Sequence, residues 1–167
     1  MSRNDDVHFC QRCGHAMEVR EAFGALRPIC PNCRFVHFHD PKVAAGVLVI
    51  DAGKVLLVRR VMEPERGKWS LPAGFVDGDE DPRATAAREC LEETGLVVEI
   101  TGLIDVYSSR EHARGASIVI VYRGQVTGGA LEAQDDADQA GWFRADELPP
   151  LAFASTKTVI EQWGKDL

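Results

Sequence analysis

The segment from residue 81 to residue 95 constrains the fold most, because it carries its own start and stop signals for a helix. Asp81 is a favourable N-cap residue, Pro82 suits the first helical position, and Gly95 readily adopts the left-handed conformation that ends a helix. These signals predict a helix over 82–94. Three glutamates of this helix stand at i, i+3 and i+4 and therefore share one face: Glu89, Glu92 and Glu93.

Three neighbouring carboxylates repel each other unless a cation joins them, and hard divalent cations such as Mg²⁺ prefer carboxylate oxygen. Arg88 stands four residues before Glu92, so it can hold that carboxylate by a charge-assisted hydrogen bond. The apolar side of the helix is expected to pack on a sheet and consists of Ala84, Ala87, Cys90 and Leu91. A solvated acidic surface is the alternative, but it does not explain Gly74, Glu80 and Gly95 at their spacings.

The stretch from Gly74 to Leu96 resembles the Nudix box, G-x5-E-x7-R-E-U-x-E-E-x-G-U, in which U is an apolar residue. Every fixed position is matched, with Cys90 at an apolar position. The segments 69–74 and 141–149 resemble the sequences that flank this box, so the resemblance covers roughly residues 41–165. It implies an α+β fold, an α/β/α sandwich with a mixed sheet.

The resemblance implies an enzyme that hydrolyses a nucleoside diphosphate linked to another group. Its Mg²⁺ (or Mn²⁺) ligands would be Glu89, Glu92, Glu93 and the backbone carbonyl of Gly74. Arg88 would orient the carboxylates, and Glu80 would support the geometry of the loop that precedes the helix. By the same resemblance, the general base would be Glu89 or an acid of a later loop: Glu132, Asp135 or Asp136.

Substrate contacts are expected from two basic and two aromatic residues. Arg59 and Arg60 flank the box in sequence and can meet phosphate charge. Phe75 and Tyr107 can stack on a base or a flavin. For each of these residues, the alternative is an ordinary place on the surface or in the core.

Four of the five cysteines form two pairs near the N-terminus, Cys10 with Cys13 and Cys30 with Cys33. This spacing is typical of a four-cysteine zinc site, and four thiolates leave no open position for catalysis. Two disulfides are the alternative. We expect a zinc ribbon over residues 1–40, with a hairpin over 18–26, that depends on Zn²⁺ for its folding because it is too small to bury a core.

The hydrolase domain is expected to span residues 41–167. Val43–Ile50 and Lys54–Arg60 are predicted to form a hairpin around the turn at residues 51–53. A loop is expected from residue 61 to residue 81. The remaining predicted elements are strands over 97–108, 117–126 and 139–143 and a closing helix over 155–163.

The net charge of −7 disfavours general binding to nucleic acid or to an anionic membrane. The longest apolar run, 43–50, is far shorter than the ~18 residues of a membrane span. Residues 1–6 lack the stages of a signal peptide, so we expect a cytoplasmic protein. A homodimer is the base-rate assembly.

A four-cysteine ribbon before a Nudix domain resembles NADH pyrophosphatases and shorter proteins related to FAD and ADP-ribose pyrophosphatases. The proline-rich stretch of the NADH branch is missing from residues 104–113, which favours the second group. The expected substrate is FAD, NADH or ADP-ribose, cleaved to AMP plus the other half. One alternative is a nucleoside triphosphate or RNA-cap hydrolase. Another is a catalytically weak sensor whose ribbon binds nucleic acid or a protein.

Overall fold

The computed structural model describes residues 7–109 and 118–163. The chain divides into two compact units, Met1–Pro41 and Lys42–Leu167. The predicted strand start at Ser117 and part of the 104–113 stretch lie outside the described residues. Within the described residues, no helix is long and apolar enough to cross a membrane.

The first unit contains a hairpin between two similar cysteine turns. Strands β1 (Glu18–Ala22) and β2 (Ala25–Ile29) pair antiparallel, so the hairpin extends past the predicted end at residue 26. In the first cysteine turn, the Gly14 N–H donates to the Cys10 carbonyl at 2.8 Å. The second turn repeats this bond at 2.9 Å, from the Arg34 N–H to the Cys30 carbonyl. The shared geometry presents both cysteine pairs in the same way.

The second unit is a mixed sheet with two helices. Its elements are β3 (Val43–Asp51), β4 (Lys54–Arg60), β5 (Trp69–Ser70), β6 (Ala73–Phe75), α1 (Pro82–Thr94), β7 (Leu96–Ser108), β8 (Ile118–Gly129), β9 (Ala137–Phe143) and α2 (Ala154–Trp163). The main strand order is β5-β4-β3-β8-β7, with β6 paired to β3 and β9 paired to β4. Strands β3 and β8 are parallel, whereas the other pairs are antiparallel.

Alternate residues of β3 face different helices, which makes the predicted sandwich. Successive side chains of a strand point to opposite faces of a sheet. Ala45, Val47 and Val49 belong to a buried cluster with Ala86 and Cys90 of α1. On the other face of the sheet, Leu48 of β3 belongs to a second buried cluster with Val159 and Ile160 of α2. The α/β/α fold expected from the sequence is confirmed.

Helix α1 has the predicted ends, and its predicted buried face is right for Cys90 and for Ala87, which packs against the core. The Asp81 carboxylate accepts a hydrogen bond from the Arg83 N–H at 2.7 Å, and Gly95 ends the helix with a φ of 71°. Ala84 is exposed and Leu91 is 47% exposed, so their assignment to the packed side is wrong. The buried residues are Thr85, Ala86, Cys90, Glu93 and Thr94. The face that packs on the sheet therefore includes one of the three glutamates.

The segment 69–75, predicted as part of a loop, contains the short strands β5 and β6. Strand β6 lies against β3 where Gly46 faces Ala73. A Cβ at Gly46 would lie 2.7 Å from the Cβ of Ala73, closer than two carbon atoms approach. This close pairing places Gly74 next to α1.

Removal of the N-cap tests how helix α1 is fixed. Asp81→Ala deletes the acceptor of the Arg83 N–H, so we expect the free energy of unfolding in urea to fall by about 1 kcal/mol. Asp79→Ala removes the same charge from an exposed residue nearby and is expected to change it by less than about 0.5 kcal/mol. An equal loss in both variants would show that the cap does not stabilise the helix.

Candidate active site

Arg88 joins the loop before α1 to two glutamates of the helix. Its Nε and Nη2 atoms donate to the two carboxylate oxygens of Glu80, at 2.8 and 2.9 Å. Its Nη1 atom donates to Glu89 Oε1 and to Glu92 Oε2, each at 2.8 Å. One guanidinium therefore fixes three carboxylates, and the bond to Glu92 is the one that the four-residue spacing predicts.

The Arg88 network determines the charge state of Glu80. Hydrogen bonds from Arg88, assisted by one from Thr85, lower the pKa of Glu80 to about 2. The pKa of Arg88 is raised in return, chiefly by its bond to Glu80. The pair therefore stays ionised and bonded through the neutral pH range.

Glu93 and Glu89 experience the opposite effect, because the protein covers them. Glu93 is 5% exposed, and its Oε2 accepts a hydrogen bond from the Ala73 N–H at 3.1 Å. Burial raises the pKa of Glu93 to about 8. Burial also raises the pKa of Glu89, although the bond from Arg88 opposes this shift. A group whose ionised form is disfavoured in this way gains most from a nearby cation.

Gly74 lies directly against the Glu89 carboxylate. A Cβ built on Gly74 would stand 2.0 Å from Glu89 Oε1. A side chain at this position would therefore push the carboxylate away. The absence of a side chain at residue 74 lets the backbone of β6 and the acidic face of α1 share one small region.

Carboxylate oxygens of this kind suit a hard divalent cation in their chemistry. A carboxylate has two oxygens with about four lone-pair sites, so an arginine bond to one oxygen leaves capacity for a metal. Within residues 7–109 and 118–163, only the cysteines bring three or more candidate ligand atoms within 4.8 Å of one another. Shared coordination of one ion would therefore require the glutamates to turn their terminal groups, with Glu93 ionised.

The acidic face of α1 lines an open cleft with a volume of about 530 Å³. Arg60, Gly74 and Phe75 contribute to the lining, together with Glu89, Glu92 and Glu93. Asp135 and Asp136, two of the later-loop acids, also line this cleft. Glu132 is not part of the described lining, and its backbone N–H donates to the Thr94 carbonyl at 2.9 Å.

Arg60 provides positive charge inside this acidic cleft. Its guanidinium carbon lies 4.9 Å from the centre of the Phe153 ring, and its Nε donates to the Pro64 carbonyl at 3.1 Å. Burial lowers the pKa of Arg60, although the nearby carboxylates, Glu93 foremost, oppose that effect. An arginine held in this way can meet a phosphate group at little conformational cost.

The other substrate contacts expected from the sequence lie in different environments. Phe75 lines the cleft and is 48% exposed. Arg59 is absent from the described lining and pairs with Asp138 at 2.7 Å. Tyr107 is also absent from the described lining. It packs against the buried cluster that contains Val159 and Ile160 of α2, and its hydroxyl donates to Gln162 at 3.4 Å. Of the four residues, the structure brings Arg60 and Phe75 to the acidic face.

Sequence reasoning missed the backbone donor of Glu93 and the partner of Arg60. Ala73 donates to Glu93 from a strand of three residues that no local pattern distinguishes from a loop. The resemblance of segment 69–74 to the lead-in of the Nudix box was the one available signal. Phe153 stacks on Arg60 from a position more than ninety residues later, and no spacing rule connects the two.

The four N-terminal cysteines converge on one point. Their sulfur atoms all lie within 4.8 Å of one another, and two pairs, Cys10–Cys33 and Cys13–Cys30, are 3.5 Å apart. A tetrahedral ion with Zn–S bonds of about 2.3 Å would place its sulfurs about 3.8 Å apart. The His15 N–H lowers the pKa of Cys13, whereas, against the effect of the Phe35 N–H, burial and hydrogen bonds with the other three cysteines raise the pKa of Cys33. The cluster can therefore hold a four-coordinate metal ion.

Cys90 is separate from this cluster. It is buried on the side of α1 that packs on the sheet, and burial raises the pKa of its thiol to about 11. A thiol of this kind is a poor nucleophile at neutral pH. Its packing role agrees with its apolar position in the helix.

Residues 40–163 match the family model of the NUDIX domain. The ADP-ribose pyrophosphatase of Methanocaldococcus jannaschii is 40% identical over 120 residues, which cover 71% of each chain. The NAD-capped RNA hydrolase NudC of Vibrio cholerae is 28% identical over 165 residues, which cover 96% of this chain and 59% of that protein. This chain therefore spans little more than half of the length of NudC.

A solved structure matches both units of the chain. The crystal structure of a NUDIX hydrolase from Nitrosomonas europaea has a TM-score of 0.86 and 32% sequence identity. The match covers 96% of this chain and 92% of that one. The likeness therefore includes the ribbon as well as the sheet and its helices.

A methyl group at residue 74 tests whether the acidic face holds a divalent cation. Gly74→Ala places a carbon where the Glu89 carboxylate lies, so we expect Mn²⁺ affinity measured by calorimetry to fall about 10–100-fold. Gly78→Ala is the matched control, because its new Cβ would meet nothing within 4 Å. Equal Mn²⁺ affinity in the two variants would count against a cation at this face.

The Glu80–Arg88 pair predicts a specific dependence of stability on pH. The folded-state pKa of Glu80 lies below its ordinary value of 4.5, so its contribution is present above pH 4.5 and disappears as the pH falls toward about 2. We expect Glu80→Gln to be less stable than wild type in urea at pH 7, with the difference shrinking toward pH 2. Asp79→Asn, the control, should show no such trend. A difference that stays constant with pH would refute the ionic role of Glu80.

Proposed function

The chain belongs to the NUDIX family of pyrophosphohydrolases, and from this membership we propose that it cleaves ADP-ribose, or a related ADP-containing dinucleotide such as FAD or NADH, to AMP plus the other half. The reaction is proposed to depend on Mg²⁺. The observation that carries this proposal is the set of Arg88-linked carboxylates on the wall of an open cleft.

The charges of the cleft explain why a metal ion is needed. The acids of the lining outnumber its two arginines, Arg60 and Arg88, and Arg88 already binds three carboxylates. A pyrophosphate would be repelled from such a surface without additional cations. We assign Glu89, Glu92, Glu93 and the Gly74 carbonyl as ligands of Mg²⁺, for which Mn²⁺ can substitute. When bound, the metal neutralises the pyrophosphate and acidifies the attacking water.

The residues of the chain then supply position and proton transfer. Arg60, held between Phe153 and the Pro64 carbonyl, meets a phosphate oxygen of the substrate. Phe75 offers an exposed ring to the base or sugar side of the substrate. A carboxylate that lines the cleft accepts the proton of the water as it attacks phosphorus in line. Glu89 is the first candidate for this base, because it lines the cleft and burial raises its pKa above the ordinary value; Asp135 and Asp136 are the alternatives.

The ribbon is proposed to hold a structural Zn²⁺. Four sulfur ligands would fill the tetrahedral shell, so this ion has no position for substrate. Zinc binding requires thiolates, which a reducing compartment such as the cytoplasm preserves. We retain the homodimer as the proposed assembly on base rates alone.

The substrate class rests on similarity and on the size of the cleft. The relative from M. jannaschii, which is 40% identical, is named an ADP-ribose pyrophosphatase. A volume of about 530 Å³ lies within the range of ~300–1,000 Å³ that is usual for small-ligand sites. ADP-ribose is therefore the first substrate to test.

An NAD-capped RNA is the second candidate substrate. The match to NudC of V. cholerae spans 96% of this chain, and therefore both of its units. An NAD cap contains the same type of pyrophosphate as ADP-ribose, so one catalytic face can serve both substrates. The two differ in the RNA that follows the cap.

A substrate panel with one isosteric variant tests this proposal. We expect wild-type protein with Mg²⁺ to release AMP from ADP-ribose, measured by chromatography. Glu92→Gln keeps the shape of the side chain but removes its charge. We expect kcat of the variant to fall at least about 100-fold. Residues that only support a metal ligand cost up to about 100-fold when changed, and a direct ligand should cost no less. It should retain one zinc per chain by elemental analysis.

The control is Glu99→Gln, which removes a charge from an exposed residue of β7 outside the cleft. It should leave kcat unchanged. If Glu92→Gln is fully active, the metal assignment fails. If ADP-ribose, FAD and NADH all yield no AMP, the substrate assignment fails. Cleavage of nucleoside triphosphates would then favour a triphosphatase, and ADP-ribose binding without cleavage would favour a sensor.

A further inference from the structure

Exposed aromatic rings and arginines gather on one surface of the ribbon that the proposed hydrolysis does not use. Phe23, at the tip of the β1–β2 hairpin, is 77% exposed. Its ring centre lies 5.5 Å from that of Phe38, and the Arg27 guanidinium lies 4.6 Å over the Phe38 ring. We refer to Phe23, Arg27 and Phe38, with Arg20 beside them, as the ribbon platform.

The two arginines of the ribbon platform are cross-strand neighbours. Arg20 of β1 is paired in register with Arg27 of β2, so both side chains lie on the same face of the hairpin. Like charges placed directly opposite each other destabilise a two-stranded sheet. Glu18 pairs with Arg20, and Arg27 Nε donates to the Ala22 carbonyl at 3.2 Å. An anion bound between the two guanidinium groups would reduce their mutual repulsion.

The charge of the chain is unevenly divided between its two units. Residues 1–41 contain five arginines and five acids, so the whole net charge of −7 belongs to residues 42–167. The first unit is therefore the part of the chain that repels a polyanion least. Its exposed rings and paired arginines match the chemistry of unpaired nucleotides, in which flat bases alternate with phosphates.

We propose that the ribbon platform binds single-stranded nucleic acid, for which oligouridine is the probe. Bases stack on the rings of Phe23 and Phe38, and phosphates contact Arg20 and Arg27. Stacking on aromatic side chains is tolerant of sequence and requires unpaired bases, so duplex RNA does not fit this surface. The two cysteine turns flank the hairpin, so a metal ion bound by them would fix its ends.

The test measures binding of a fluorescent oligouridine of about 16 nucleotides to the full-length, zinc-loaded protein by anisotropy, without Mg²⁺. Two phosphate contacts predict a slope of about −1.4 for the logarithm of the binding constant against the logarithm of salt concentration. We expect Phe23→Leu to weaken binding roughly 5- to 100-fold, and Phe23→Trp to preserve it. Arg27→Gln should reduce the magnitude of the slope by about 0.7.

Val19→Ala is the matched control. Val19 is 54% exposed but alternates with Arg20 along β1, so it lies on the opposite face of the hairpin. The Val19→Ala variant should bind the oligonucleotide as tightly as the wild-type protein does. Duplex RNA of the same length should bind to the wild-type protein more weakly than the single strand. Zinc content, measured for every variant, distinguishes a lost contact from a lost fold.

Three results would overturn the proposal. The first is no detectable binding by wild-type protein at about 50 mM salt, where electrostatic contacts are strong. The second is unchanged affinity in a zinc-loaded Phe23→Leu variant. The third is a dimer, seen by sedimentation, that the same substitution dissociates, since the ribbon platform would then be an interface between copies.

This proposal does not rest on the hydrolytic one, and their failures can be distinguished. RNA binding without release of AMP from any pyrophosphate substrate contradicts the proposed function alone. Release of AMP from ADP-ribose without RNA binding contradicts the ribbon platform alone. If both hold, NAD-capped RNA becomes the substrate to test first.

Discussion

The site depends on a single guanidinium that has to satisfy three carboxylates at once. Arg88 forms both of its bonds to Glu80 across the loop and shares its remaining nitrogen between Glu89 and Glu92. A helix with clustered glutamates would otherwise be destabilised by their repulsion. Arg88 therefore lets an acidic surface persist before any metal binds. It also leaves each carboxylate with further acceptor capacity.

Close backbone approaches bring the rest of the fold to this network. The absence of a side chain at Gly46 lets β6 pair closely with β3, and the absence of one at Gly74 lets the Glu89 carboxylate occupy the space beside β6. Strand β6 then supplies the Ala73 N–H that holds Glu93 in its buried position. The same burial that makes Glu93 costly to ionise makes it responsive to a cation. The position of the acidic residues thus depends on β6, a strand of three residues.

The sequence predicted those features that local signals encode. Helix α1 has its own cap and stop residues, and the cysteine spacing anticipated the convergence of four sulfurs. Features set by tertiary pairing were missed, among them strands β5 and β6 and the exposure of Leu91. Arg59 and Arg60 show the limit clearly. Adjacent residues of a strand point to opposite faces, but the sequence does not tell which face borders the cleft.

The most direct test of the account is to locate the metal in a crystal of the protein soaked with Mn²⁺. The anomalous signal of manganese identifies the ion independently of any assay of turnover. The account predicts a peak bounded by the carboxylates of Glu89, Glu92 and Glu93 and the carbonyl of Gly74. A fully occupied manganese peak elsewhere, with the Arg88 network unchanged and no density at this face, would contradict it.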